Sequence, residues 1–187
     1  MATFGNTTDG STNNSIEGYI RGGVYPFSGT TGSTADSIFA RLCTNQERWY
    51  SPKCALYNSD LSYIATTNVL SQSYPITYAW YEFTFSDPKP TLTNGNSYII
   101  VVWAENENRI LSVASSGTTG VTNYYQFQIM NGWPDPLAPT TSAEQYCVYC
   151  SYSYTPPPHP SPARDFLLQP LPMGKQRMMF RRPRPVS

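Results

Sequence analysis

The sequence predicts an all-β protein: an antiparallel β-sandwich or jelly roll followed by an extended, proline-rich C-terminal arm. Three observations predict this fold. No window of the chain shows the 3.6-residue apolar repeat of an amphipathic helix. Short β-branched and aromatic runs recur between clusters of Gly, Asn, Ser, Thr and Pro. Only 13% of the residues are charged, against about 25% in an average soluble domain, which argues against a helical bundle or coiled coil.

Nine of these runs are predicted to be strands, at a spacing of roughly 8–15 residues with no helix between them, which is typical of a sandwich. The run from Tyr98 to Ala104 is apolar throughout, so we expect a central strand that is covered on both faces. The predicted strands are Ser15–Tyr25, Ser37–Cys43, Lys53–Tyr57, Tyr63–Val69, Thr77–Phe85, Ser97–Ala104, Arg109–Ala114, Tyr124–Ile129 and Gln145–Tyr154.

Alternation and turn residues support individual strands. In the run from Thr77 to Phe85, residues 81, 83 and 85 are all aromatic and are predicted to share one face. The segment Thr93–Asn96 contains Asn-Gly and predicts a tight turn with positive φ. The segment Trp133–Pro136 begins a proline-rich loop before the last strand.

The chain divides at Thr155 into two pieces of opposite charge, although its formal net charge is zero. Residues 1–155, the predicted sandwich, hold six Lys+Arg against eleven Asp+Glu and contain all 15 Tyr and all 4 Trp. Residues 156–187, the predicted arm, hold six bases, one acid and nine of the 17 Pro. A shift this sharp predicts a boundary.

The arm, residues 156–187, is too rich in proline for regular helix or a central strand. Alone it would bury too little surface to offset its ordering entropy. We therefore hypothesise that it lies on a neighbouring copy or another subunit of an assembly. The alternative, a basic tail that contacts nucleic acid, has weak support because the arm has few aromatic residues. The expected contact residues are Phe166, Leu167, Leu168, Leu171, Met178, Met179, Phe180, Arg181, Arg182 and Arg184.

Several phrases of the sandwich resemble a known type of domain: Thr3–Thr8, Ser15–Gly22, Lys53–Tyr57, Phe83–Pro90 and Trp133–Pro136. They resemble a poorly characterised β-sandwich domain of environmental bacterial, archaeal and phage surface proteins, which is similar in build to carbohydrate-binding modules. The resemblance covers roughly residues 3–154. It implies a surface protein with a sandwich fold and implies little about activity, and the arm lies outside it.

The four cysteines, Cys43, Cys54, Cys147 and Cys150, leave three interpretations open. A zinc site is disfavoured because Cys147 and Cys150 lie in a predicted strand, where positions three apart face opposite sides. A disulfide between Cys43 and Cys54 is an alternative, since the two lie on neighbouring predicted strands. Buried free thiols that pack as small apolar groups are the interpretation that we favour.

Candidate catalytic groups are few. His159 is the only histidine and lies in the arm, which is a poor scaffold for a Ser/His/Asp triad. Glu105 and Glu107 offer paired carboxylates, but they lie in a predicted hairpin tip where solvated charges are common. No glycine-rich phosphate loop is present. We therefore expect a non-enzymatic protein without a cofactor.

Aromatic residues suggest either a ligand surface or packing. Trp49, Tyr50 and Trp133 flank predicted loops and are the candidate residues of a glycan-stacking surface. Fifteen Tyr exceed what a single core needs. We expect the excess to be shared between subunit contacts and sugar contacts.

No stretch of 18 apolar residues predicts a membrane span, and the N-terminus lacks the basic and apolar regions of a secretory signal. We therefore expect the protein in a virion or another extracellular assembly. The predicted function is a non-enzymatic structural protein that self-assembles, as a virion decoration, capsid or tail component or a surface fibre subunit. The alternative is a carbohydrate-binding or adhesion module.

Overall fold

The computed structural model describes residues 2–105, 111–117, 122–127 and 132–156, and these residues form strands and loops without any helix. The strands are β1 (Ala2–Gly5), β2 (Thr12–Ser15), β3 (Tyr19–Pro26), β4 (Ser33–Thr44), β5 (Arg48–Tyr50), β6 (Lys53–Asn58), β7 (Tyr63–Thr66), β8 (Gln72–Tyr74), β9 (Ala79–Thr84), β10 (Thr91–Leu92), β11 (Ser97–Trp103), β12 (Leu111–Ser115), β13 (Asn123–Phe127), β14 (Thr140–Ser142) and β15 (Val148–Ser153).

The strands form two large antiparallel sheets and one small one. In the first sheet, the order is β1-β15-β4-β12-β2, with β9 and β10 also paired to the long strand β4. In the second sheet, the order is β14-β13-β3-β11-β6-β7. The small sheet pairs β5 with β8. The two large sheets pack face to face, so the predicted antiparallel β-sandwich is confirmed.

The main core lies between the two large sheets. It takes Ile38 and Leu42 from β4 and Val148 from β15, and across from them Ile100 and Val102 from β11. Alternate residues of β11 face this core, as the period of a strand requires.

A second core lies on the outer face of the second sheet. The alternate residues of β11, Ile99, Val101 and Trp103, face this side and are almost fully buried. Trp133 and Leu137 pack over them from the loop that precedes β14. The prediction that the run from Tyr98 to Ala104 is covered on both faces is therefore confirmed.

Each of the nine predicted runs overlaps a strand of the structure, but the bounds differ. The run Ser15–Tyr25 holds only the last residue of β2 and most of β3, and between them lies Gly18, whose φ of 69° is open to glycine at little cost. The predicted turn at Thr93–Asn96 is confirmed, with Gly95 at φ 84°. Six strands of two to four residues, β1, β2, β5, β8, β10 and β14, either were not predicted or were only touched by a prediction.

All four cysteines are buried and free, as the favoured interpretation expected. The alternative disulfide is wrong because its two residues lie in different sheets. Cys43 belongs to β4 of the first sheet, where its thiol donates to Asn13 Oδ1 over 3.3 Å. Cys54 belongs to β6 of the second sheet and faces the main core. Burial raises the pKa of both thiols.

The arm and its predicted contact residues, Phe166 to Arg184, lie outside the described residues, as does His159. The boundary at Thr155 and the assembly role of the arm therefore stay predictions. Within the described part of the chain, there is no helix of the length and apolarity needed to cross a membrane.

Candidate functional site

A cleft of about 270 Å³ opens where the small sheet meets one end of the sandwich. The chain leaving β5 and entering β6 supplies one wall, and residues just beyond β7 and β11 supply the rest. Concave sites of this kind, with a few polar groups among apolar ones, are the usual places for ligand binding. The lining residues are Trp49, Tyr50, Ser51, Lys53, Val69, Ala104 and Glu105.

Trp49 is the aromatic side chain that this cleft presents to solvent. It lies in the middle of β5, opposite Ser73 of β8, and is 73% exposed. Val69, on the same cleft, is also exposed. An indole ring exposed to this extent is unfavourable because its apolar surface stays in water. Exposed apolar side chains that lie together are typical of interaction sites.

Tyr50 lies next to Trp49 but has the opposite orientation, since successive residues of a strand face opposite sides. Its ring is only 4% exposed and packs edge-on against Tyr74 of β8, with 6.2 Å between ring centres. Tyr50 therefore borders the cleft as part of the main core. Of these two candidate residues, only Trp49 offers a free ring face to a ligand.

Lys53 and Glu105 form an ion pair at the cleft. The Lys53 ammonium lies 4.8 Å from the ring centre of Trp103 and 5.7 Å from that of Trp133, within the range of cation–π attraction. Its side chain is only 15% exposed, whereas that of Glu105 is 54% exposed. The carboxylate is thus the more accessible member of the pair.

Trp133, the third candidate residue, reaches the cleft only through Lys53. Its indole N–H donates to Thr66 Oγ1 over 2.7 Å, and its ring packs edge-on against Trp103 with 5.3 Å between centres. The neighbouring loop is fixed to the sheet by the Tyr57 hydroxyl, which donates to the Pro134 carbonyl over 2.9 Å. Burial raises the pKa of Tyr57, so this donor keeps its proton. Trp133 supports the floor of the cleft and does not line it.

No protein-family model, curated protein or solved structure matches this chain. The resemblance to surface-protein sandwich domains therefore stays a prediction from the sequence. What the site does has to be argued from its own geometry.

A second group of aromatic rings, on the outer face of the first sheet, was missed by the sequence analysis. Phe39 of β4 lies opposite Tyr149 of β15, and their rings stack with 4.8 Å between centres and 6° between planes. Trp80 of β9 meets Tyr149 edge-on at 5.0 Å. Alternation within a strand separates Tyr149 from its neighbours Val148 and Cys150, but which strands pair with which cannot be derived from alternation.

A polar cluster borders these rings. The Asp9 carboxylate accepts a hydrogen bond from the Trp80 indole at 2.9 Å and pairs with the Arg41 guanidinium at 3.0 Å. Arg41 also donates to the Gly10 carbonyl and lies over the Tyr78 ring. The cleft is the stronger candidate site because its Trp49 ring is largely exposed, whereas the rings of Phe39 and Tyr149 are stacked on each other.

The cleft has one carboxylate among its described lining residues. It is that of Glu105, and Glu107 lies outside the described residues. Within the described ranges, no three His, Cys, Asp or Glu side chains come together as a metal site would require. The geometry of the cleft suits binding through stacking and hydrogen bonds.

Proposed function

We propose that the protein is a non-enzymatic carbohydrate-binding or adhesion module that recognises a glycan in the Trp49 cleft. The observation that carries this proposal is the 73% exposed indole of Trp49 at the rim of a cleft that also holds an ion pair. Sugar rings present an apolar C–H face and a rim of hydroxyl groups. The cleft offers a matching apolar ring and polar groups of both kinds.

The contacts of each lining residue suggest its role in binding a sugar. Trp49 and Val69 provide the apolar surface against which a sugar ring can stack. Glu105 accepts hydrogen bonds from sugar hydroxyls, and Lys53 donates them. Since Lys53 is already held by Trp103 and Trp133, its position is set before a ligand arrives, which lowers the entropic cost of binding.

Glycan-array screening followed by affinity electrophoresis tests the proposal. Wild-type protein should bind at least one glycan class, and Trp49→Ala should weaken that binding by at least about tenfold, which corresponds to about 1.4 kcal/mol. Trp49→Tyr should retain part of it because a ring remains. The matched control is Ile76→Ala, which removes an exposed apolar side chain that does not line the cleft. Equal binding by Trp49→Ala and wild type would contradict the proposal.

A second candidate function is self-assembly through the arm, as a virion component or surface fibre subunit. The observation that favours it is the division of charge: about −5 in residues 1–155 and about +5 in residues 156–187. Opposite charges on two parts of one chain favour contacts between copies, and these contacts weaken in salt. The arm's apolar residues, such as Phe166, Leu168 and Phe180, would add burial to these contacts.

A chain that ends at Thr155 tests the assembly function. Full-length protein should form larger particles in light scattering and electron microscopy, and the truncated chain should stay small. A full-length variant with Arg181, Arg182 and Arg184 changed to Gln is the finer probe, since it keeps the apolar anchors. Unchanged particles from the truncated chain would rule out this role.

A further inference from the structure

We infer that the Trp49 cleft selects uncharged sugars over acidic ones. This inference rests on the proposed glycan-binding function and specifies the class of ligand. Its basis is the ion pair of Lys53 and Glu105, the two charged side chains among the described residues that line the cleft. Together they supply donors and acceptors while adding no net charge to the site.

The two members of the pair are unequally available to a ligand. The Lys53 side chain is 15% exposed, and its ammonium is held by the Glu105 carboxylate, the Trp103 ring and the Trp133 ring. A sugar carboxylate or sulfate that approached this cation would find its charge already neutralised by Glu105. The Glu105 side chain is 54% exposed, so an incoming ligand meets a negative group first.

Hydroxyl groups suit this arrangement and anions do not. A carboxylate accepts hydrogen bonds from hydroxyls, whereas two carboxylates in one site repel each other. The rest of the sandwich acts in the same direction, because residues 1–155 hold eleven acids against six bases. Both the local and the overall charge therefore disfavour an acidic glycan.

The test compares full-length protein on neutral and acidic polysaccharides by affinity electrophoresis. The neutral probes are a β-glucan, a xylan and a mannan, and the acidic probes are polygalacturonate, alginate and hyaluronan. Wild type should bind its best neutral probe at least tenfold more tightly than any acidic one. Glu105→Gln should raise the ratio of acidic to neutral affinity by at least tenfold, and this ratio is insensitive to a uniform loss of binding.

Asp9→Asn is the matched control. It removes one negative charge from the same sandwich, but Asp9 does not line the cleft and pairs with Arg41 and Trp80 instead. The ratio should stay unchanged in this variant if the local carboxylate sets the selectivity. An equal rise in both variants would show that overall charge is responsible and would overturn the inference.

The outcomes separate the inference from the function on which it rests. If wild type binds no probe of either class, the glycan-binding function fails and the inference fails with it. If wild type prefers an acidic probe and loses it on Trp49→Ala, the function stands and the inference is wrong. An unchanged ratio in Glu105→Gln also overturns the inference.

Discussion

The outer faces of the two sheets both carry aromatic side chains, but these side chains are buried on the second sheet and partly exposed on the first. On the second sheet, Val101 and Trp103 are buried under Trp133 and Leu137 and form a second core. On the first sheet, the stacked rings of Phe39 and Tyr149 belong to neither core and stay half-buried. Aromatic content alone thus does not distinguish packing from a surface: the loop that lies over a face decides.

Trp103→Ala should lower the free energy of unfolding more than any other change predicted here, and it tests how much the second core stabilises the fold. Trp103 is fully buried and contacts both Trp133 and Lys53. Truncating a buried aromatic ring usually lowers the free energy of unfolding by about 3–5 kcal/mol. Urea denaturation measures it. Phe39→Ala is the control: it lies on the outer face of the first sheet, called the open face below, and should lower the free energy of unfolding clearly less. Equal losses would show that the two faces are energetically alike.

Trp133→Ala should have the next largest effect on the free energy of unfolding, because it removes part of the cover but leaves the sheet intact. The variant loses the edge contacts with Trp103 and Tyr57 and the hydrogen bond to Thr66. We expect a loss of about 2 kcal/mol in the free energy of unfolding. Trp133→Phe should recover part of the packing but not the hydrogen bond. A loss below about 0.5 kcal/mol, typical of a surface position, would mean that the loop does not stabilise this face.

The covered strand could be predicted from the sequence, but its cover could not. A run of seven apolar residues from Tyr98 to Ala104 is diagnostic because no solvated face is compatible with it. The loop that covers one side contains Trp133 and Leu137, and its place depends on contacts with residues far away in sequence, such as Tyr57. Local patterns carry no information on such contacts.

The candidate site was predicted in part, for the same reason. Trp49 and Tyr50 are both candidates for a glycan-stacking surface because they flank a predicted loop. The three-residue strand β5 exists through its pairing with β8, and this pairing sends the two rings to opposite sides. The ion pair of Lys53 and Glu105 joins residues 52 positions apart and had no local signal.

Alkaline pH should lower the free energy of unfolding through the buried thiols of the main core. Cys150 faces the main core, whereas its neighbour Tyr149 faces outward. Burial raises the pKa of Cys150 and Cys54, so both thiols keep their protons in the folded state while the unfolded chain loses them. Stability is therefore complete below the ordinary thiol pKa, about 8.5, and falls as pH rises above it.

Each of these buried thiols should contribute a slope of about 1.4 kcal/mol per pH unit above that value. Denaturant titrations between about pH 7 and pH 10.5 measure the slope. In Cys54→Ala, one titrating thiol is removed, so its curve should be flatter than that of wild type by about that amount. A parallel curve would show that burial of Cys54 does not couple folding to pH.

Asp9→Ala should give the smallest effect on the free energy of unfolding, although it removes two polar contacts from the outer face of the first sheet. The variant loses the ion pair with Arg41 and the acceptor of the Trp80 indole. Because the Asp9 side chain is 69% exposed, water replaces it for both partners, and we expect a loss of less than about 1 kcal/mol. Thermal unfolding at low and high salt measures the loss, which should shrink further in high salt. A loss of 2 kcal/mol or more would mean that polar contacts hold the open face as firmly as the Trp133 loop holds the covered one, since an exposed ion pair alone does not reach that value.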